Sequence, residues 1–227
     1  MARVLAIGDI HGCSRALATL LIAIDPRPED LVVPLGDYVD RGPDSKEVLD
    51  QLIALRDRTT LVPLIGNHDQ MMLEARQGKG CDWLVGYGVP TLVSYGLQAD
   101  ELERVPRAHW AFLESCRDWF ETEAHLFVHA SVYPDLPMPE QPTYMLRWES
   151  LRPDAARAHC SGKTVVCGHT SQKSGRPLDL GHTICIDTWA HGGGWLTCLE
   201  VSSRWAWQAN QSGALVSGRL EELAEED

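Results

Sequence analysis

At 227 residues, 44% of them hydrophobic, the chain is long enough to bury a substantial core in one large domain or two small ones, and a single domain over 1–227 is expected. A formal charge of -12 and a pI near 5.1 exclude a general affinity for nucleic acid or anionic membrane, because such a surface repels polyanions; an anionic substrate must meet a locally positive site. Seven cysteines with no CxxC pair, and no apolar run near the roughly 18 residues of a membrane span, predict a soluble, cytoplasmic protein with reduced thiols.

The N-terminal third repeats one structural phrase. RVLAIG reads as a short buried strand, GDIHGC as a polar turn, and Ser14 as the cap of a helix whose Leu17, Leu20, Leu21 and Ile24 share a face. LVVPLG then leads into DYVDRGPDS, with Ser45 as the next cap and Val48, Leu49, Leu52 and Ile53 as the next apolar stripe. LVPLIG leads into NHD and the helix-like QMMLEAR, with Gly66 read as the residue that allows a tight turn. Three such units predict a largely parallel sheet with the turns gathered at the strands' carboxyl edge, where ligands bind.

Residues 77–125 read as a helical insert, in which Trp110, Phe112, Leu113 and Trp119 are core or lid packing. YPDLPMPEQP, 133–142, reads as an ordered loop. From 163 onward, TVVCGH, HTICIDT, GGWLTCLEV and RWAWQAN predict strands, and the terminal EELAEED a solvated acidic tail.

The predicted strand ends carry the chemistry. Asp9 and His11 follow the first strand, Asp37, Asp40 and Arg41 the second, and Asn67 and His68 the third; LFVHA and VVCGH add His129 and His169. A lone histidine is more often structural, and a Gly-Asp pair is usually only a turn. Five strand ends that each finish in a potential ligand are not explained by turn chemistry. Oxygen and imidazole donors without clustered thiolates suit borderline-hard divalent ions such as Mn²⁺, Fe²⁺ or Zn²⁺.

GDIHG (8–12), GDYVDRG (36–42) and GNHD (66–69), followed by His129 and His169, resemble the calcineurin-like metallophosphoesterases, specifically the phosphoprotein phosphatase family and its small bacterial members. The resemblance implies an α/β fold, a four-layer α/β/β/α sandwich of two packed mixed sheets flanked by helices. It also implies two divalent metal ions, with Asp9 and His11 on one, Asp37 bridging, and Asn67, His129 and His169 on the other. Such a pair would hold a hydroxide for in-line attack on phosphorus. His68 would protonate the leaving group, oriented by Asp40, and Arg41 would clamp phosphate oxygens, with Arg147 or Arg152 as a second clamp.

Two substrate classes fit these motifs. The intact GDYVDRG resembles serine/threonine phosphatases acting on phosphorylated proteins or small phosphate esters, and this is the expected activity. The GNHD spelling resembles the symmetric dinucleoside tetraphosphate hydrolases, and Asp69 departs from the glutamate common in protein phosphatases. An inactive metal-binding scaffold should have lost His68, Asp40 or Arg41, yet all three are present.

Overall fold

The computed structural model describes residues 2–224, so the last three residues of the expected acidic tail lie outside the described residues. Strands β1 (Val4–Ile7), β2 (Leu31–Pro34) and β3 (Thr60–Leu61) alternate with helices α1 (Ser14–Ile24), α2 (Ser45–Leu55) and α3 (Asn67–Arg76), as the repeated phrase predicts. Then come α4 (Cys81–Val85), α5 (Val89–Tyr95), a 3-10 turn at Ala99–Arg104, α6 (Arg107–Glu114), β4 (Trp119–Glu121), β5 (His125–Val128) and α7 (Thr143–Arg147). Strands β6 (Thr164–Cys167), β7 (Leu178–Asp179), β8 (Thr183–Cys185), β9 (Leu196–Glu200), β10 (Trp205–Ala209) and β11 (Leu215–Arg219) precede helix α8 (Leu220–Ala224). No helix is long and apolar enough to cross a membrane among the described residues.

The strands form two mixed sheets. The first runs β11-β10-β9-β1-β2-β3, with β1, β2 and β3 parallel and the three late strands antiparallel. The second runs β4-β5-β6-β8-β7, with β5, β6 and β8 parallel. Ala6, Val33, Leu35 and Leu199 of the first sheet meet Phe127, Val166 and Ile184 of the second in a buried layer between them. On the first sheet's outer face, Leu5, Ile7, Val32 and Cys198 pack beneath Leu17, Leu20, Leu49 and Leu52 of α1 and α2, so the predicted helix stripes do bury. The second sheet's outer face is covered by Met138, Leu146 and Leu151 from a chain segment with only short helical turns. The expected α/β sandwich is present, with its fourth layer thin.

Local details depart from the sequence reading. Both predicted caps lie one residue late. The carboxylate of Asp44, a stronger acceptor than a serine hydroxyl and favoured at the positive helix end, accepts the Glu47 N–H at 3.1 Å. The start of α1 has no local side-chain cap, and Gln211 reaches in from the β10–β11 loop to accept the Ala16 N–H at 2.8 Å. Trp119 belongs to β4, not to a helix, because α6 ends at Glu114 and Trp119–Glu121 pair with Val128–Leu126. Trp110, Phe112 and Leu113 are buried core residues. The first part of the predicted tail is folded: Leu223 packs against the buried layer between the sheets and Glu221 pairs with Arg204 at 2.5 Å.

Candidate active site

The parallel strands of both sheets deliver their turns to one place. His129 follows β5 and lies within 2.9 Å of the Leu35 carbonyl at the end of β2, while the Gly168 N–H after β6 donates to the His129 carbonyl at 2.8 Å. These turns are backbone-strained. His11, Asp37, Asp40, Arg41, His169 and Trp189 all take left-handed φ values between 44° and 70°, six of the eight non-glycine residues with positive φ among the described residues. Strain of this kind persists only where surrounding structure holds it, and it concentrates at functional sites. Asp69 supplies part of that hold by accepting the N–H groups of Gly66, Asp37 and Tyr38 at 2.8 to 3.0 Å. Gly66 itself is extended, at φ -92°, so the expected tight turn is not its reason; a Cβ there would sit 2.0 Å from Asp37 Oδ1.

Three imidazoles share one hydrogen-bonding scheme. His11 Nδ1 donates to the Val39 carbonyl at 2.9 Å, His129 Nδ1 to Leu35 at 2.9 Å, and His169 Nε2 to Trp148 at 3.0 Å. A carbonyl only accepts, so in each neutral ring the proton is outside and the other nitrogen presents a lone pair inward. Those lone pairs face further acceptors: His11 Nε2 lies 3.3 Å from Asp37 Oδ2, and His129 Nε2 and His169 Nδ1 lie 3.1 and 3.0 Å from Asn67 Oδ1. Burial drives the His11 pKa down to about 3 and that of His169 to about 4, so both rings are neutral near pH 7. Electron pairs converging without protons between them suit a bound cation, and an outer N–H fixed on a carbonyl is the support that metal-binding histidines use.

Ligand atoms of His11, Asp37 and His68 lie within 4.8 Å of one another, as do those of Asp37, His129 and His169, so Asp37 joins two groups. Asp9 belongs to neither group among the described residues; its two oxygens accept the His169 N–H at 3.1 Å each. Burial, then the neighbouring carboxylates of Asp187 and Asp37, push the Asp9 pKa well above the ordinary value. Buried like charges at this density are relieved either by taking up a proton or by a compensating cation. The donor set therefore fits divalent metal ions.

His68 differs from the other three. Its Nδ1 donates to Asp40 Oδ2 at 2.7 Å, and its Nε2 accepts from Arg41 Nη2 at 3.3 Å. Burial lowers its pKa, but Asp37 and Asp40 outweigh burial and leave it raised. The carboxylate of Asp40 is fully buried and takes two further donors, Trp83 Nε1 at 2.8 Å and Thr91 Oγ1 at 2.7 Å. The ring of Tyr87 stands edge-on to His68 at 5.4 Å and beneath Arg41 at 5.9 Å. Beyond them opens a cleft of about 590 Å³, lined by Arg41, Met71, Glu74, Asp82, Trp83 and Trp148 among others.

The two candidate second arginines separate. Arg147 lies at the site's edge, where burial lowers the His129 pKa and the Arg147 charge adds a little to it, but its Nε donates to Asp118 at 2.6 Å and its Nη1 to Gln70 at 3.2 Å. Arg152 is 77% exposed, pairs with Glu149, and lines a separate cavity. Sequence reasoning missed Trp83, Tyr87, Thr91, Asp187 and His191. Asp187 carried the same signal as the others, an acid just past a strand, in HTICIDT. Trp83 and Thr91 carried none, because they reach Asp40 across 43 and 51 residues.

Residues 2–173 match the family of calcineurin-like phosphoesterases. The chain is 32% identical to serine/threonine-protein phosphatase 1 of Salmonella typhimurium over 206 residues, covering 86% of this chain and 90% of that protein. It is 47% identical to a symmetrical bis(5'-nucleosyl)-tetraphosphatase of an Acidovorax species, but over 73 residues, 32% of this chain and 25% of that one. In fold it is similar to a cold-active protein-tyrosine phosphatase of a Shewanella species, with a TM-score of 0.66 and 19% identity over 96% of this chain and 80% of that one. The turns that carry the imidazoles and carboxylates lie almost wholly within the matched span, and the chain belongs to the calcineurin-like phosphoesterases, hydrolases that use divalent metal ions.

Proposed function

We propose that this enzyme is a serine/threonine phosphoprotein phosphatase, and the observation that carries the reading is the His68–Asp40 pair at 2.7 Å. The alkoxide that leaves phosphoserine or phosphothreonine is strongly basic and needs a well-oriented proton donor; a nucleotide phosphate is a far weaker base and needs less help. Asp40 holds His68 by Nδ1, which leaves Nε2 to carry a proton to the departing oxygen once Arg41 turns to the phosphoryl group. The Arg41 guanidinium then offers paired donors to phosphate oxygens, and Arg147 is the candidate second clamp.

Asp9, His11, Asp37, Asn67, His129 and His169 are the proposed holders of two divalent ions, with Asp37 shared; Mn²⁺ is the first choice, and Fe²⁺ or Zn²⁺ also suit the donors. When bound, such ions supply positive charge to the phosphoryl oxygens and activate water toward in-line attack.

The cleft beside His68 supports a monoester. Among the described residues Arg41 is its single lining cation, against the carboxylates of Glu74 and Asp82, a poor environment for a chain of four phosphates. A second reading, hydrolysis of symmetric dinucleoside tetraphosphates, is favoured by the higher local identity to a relative of that name, over a stretch confined to about a third of the chain. The Mn²⁺-loaded enzyme assayed on a phosphothreonine peptide and on diadenosine tetraphosphate should give kcat/KM at least several-fold higher for the peptide, with Asp40→Ala narrowing the gap. A preference for the dinucleotide would reverse the ranking.

A further inference from the structure

His191 sits in a 3-10 turn, Ala190–Gly192, between β8 and β9. Its ring stands edge-on to that of His11 with centroids 4.8 Å apart, and it feels the charges of Arg41, His68 and Asp37. Every other imidazole of the site has a nitrogen committed to a carbonyl or to Asp40. His191 has none: its Nδ1 is buried without a partner, and no hydrogen bond to a described residue reaches the ring. A buried polar atom left unsatisfied costs stability unless a water or a ligand completes it.

The turn is built to hold that ring in place. Trp189 takes a left-handed φ of 64°, and its N–H donates to Asp187 Oδ1 at 3.0 Å. Asp187 is fixed in turn by the Ser171 hydroxyl at 2.6 Å. The Trp189 indole lies so close over the turn that a Cβ at Gly192 would meet it at 2.0 Å. A strained residue, a glycine that admits an indole, and a buried carboxylate together hold the turn, whose imidazole bonds to no described residue.

The absence of an outer carbonyl partner argues against a metal ligand of the His11 kind, since ligating histidines are oriented by such bonds. With neither nitrogen taken by a described residue, whichever one carries the ring's N–H is without an acceptor, and an acceptor beside Arg41 and His68 is an oxygen of a bound anion. We propose that His191 is a phosphate-contacting residue, donating one ring N–H to a phosphoryl oxygen on the His11 side of the site while Arg41 serves others. This rests on the function proposed above only through the phosphoryl group, not through the choice of leaving group.

The test is calorimetric titration of inorganic phosphate into Mn²⁺-loaded protein, with metal content measured by elemental analysis. His191→Ala should weaken phosphate binding about 10-fold, the scale of one hydrogen bond to a charged group. His191→Phe, which keeps the ring packing against His11 and Trp189 but has no donor, should lose as much, while His191→Gln should stay within roughly threefold of the parent. Metal content should be unchanged in all three. Parent-like phosphate affinity in the Phe or Ala variant overturns the proposal, and so does weaker binding that tracks loss of metal, which would make His191 a ligand instead. Because free phosphate has no leaving group, the result is independent of whether the peptide or the dinucleotide is the better substrate.

Discussion

His68 shows how much a side chain's task depends on where its second nitrogen is tied. His11 and His129 give Nδ1–H to a carbonyl and keep a lone pair for the interior, whereas His68 gives Nδ1–H to a carboxylate that raises its basicity. His68→Asn is therefore expected to lower kcat about 10²- to 10⁴-fold with metal content unchanged, and to lose less on nitrophenyl phosphate, whose leaving group needs little proton donation. Loss of an ion from that variant, by elemental analysis, would reassign His68 as a ligand. At the opposite end of the first sheet, Asp30 is 1% exposed and accepts from Arg3 Nε at 3.1 Å and from the Arg3 and Arg27 backbone N–H groups at 3.0 and 2.9 Å. Burial opposes its ionisation, but the Arg3 hydrogen bond and these donors prevail and hold its pKa at about 2 against an ordinary 3.8. A depressed carboxylate contributes stability above its unfolded pKa and loses it as pH falls through the folded value, here about 2 kcal/mol disappearing between roughly pH 4 and 2. Urea unfolding of metal-free Asp30→Asn should show that deficit at pH 6 and a narrowing gap toward pH 2; a constant gap would place the loss elsewhere.

At the scale of elements, the short helices after α3 act on the site without holding any of its motif residues. Helix α4 brings the Trp83 indole N–H to Asp40 Oδ2, and α5 brings the Thr91 hydroxyl to Oδ1. Thr91 also accepts the Asp40 N–H at 2.9 Å, so this segment fixes both the carboxylate and the strained backbone that carries it. Trp83→Phe keeps an aromatic ring in the buried site while deleting the donor. On a phosphoserine peptide kcat should fall about 10-fold, with a much smaller loss on nitrophenyl phosphate, since what is lost is the orientation of the His68 proton. Equal losses on both substrates would show that Trp83 only packs.

For the whole molecule the governing fact is charge. A chain of net charge -12 gathers Asp9, Asp37 and Asp187, all nearly or fully buried, where its two sheets meet. Divalent ions relieve that repulsion only in the folded state, because the proposed ligands come from the turns of both sheets. Binding at 100 times its Kd stabilises by about 3 kcal/mol. Chelator stripping should therefore lower Tm by several degrees and abolish hydrolysis, Mn²⁺ should restore both, and Asp37→Asn should weaken both ions, as read by elemental analysis. An unchanged Tm after complete stripping would contradict a folded-state metal cluster.

The sequence alone determined the repeated strand-turn-helix units, the fold class and the turns that carry the histidines and carboxylates. Apolar periodicity and short motifs are local properties, legible in GDIHG, GDYVDRG and GNHD without knowing what they touch. Pairing between distant residues is not local. That β9 and β10 cross back to extend the first sheet, that Gln211 caps α1, and that Asp40 takes donors from Trp83 and Thr91 were decided by tertiary structure. The same holds for Gly66, whose need for a bare Cα comes from Asp37 across the turn rather than from its own φ. The His191 ring, with no motif around it, acquires meaning only because folding packs it against His11 and leaves its buried nitrogen without a partner among the described residues.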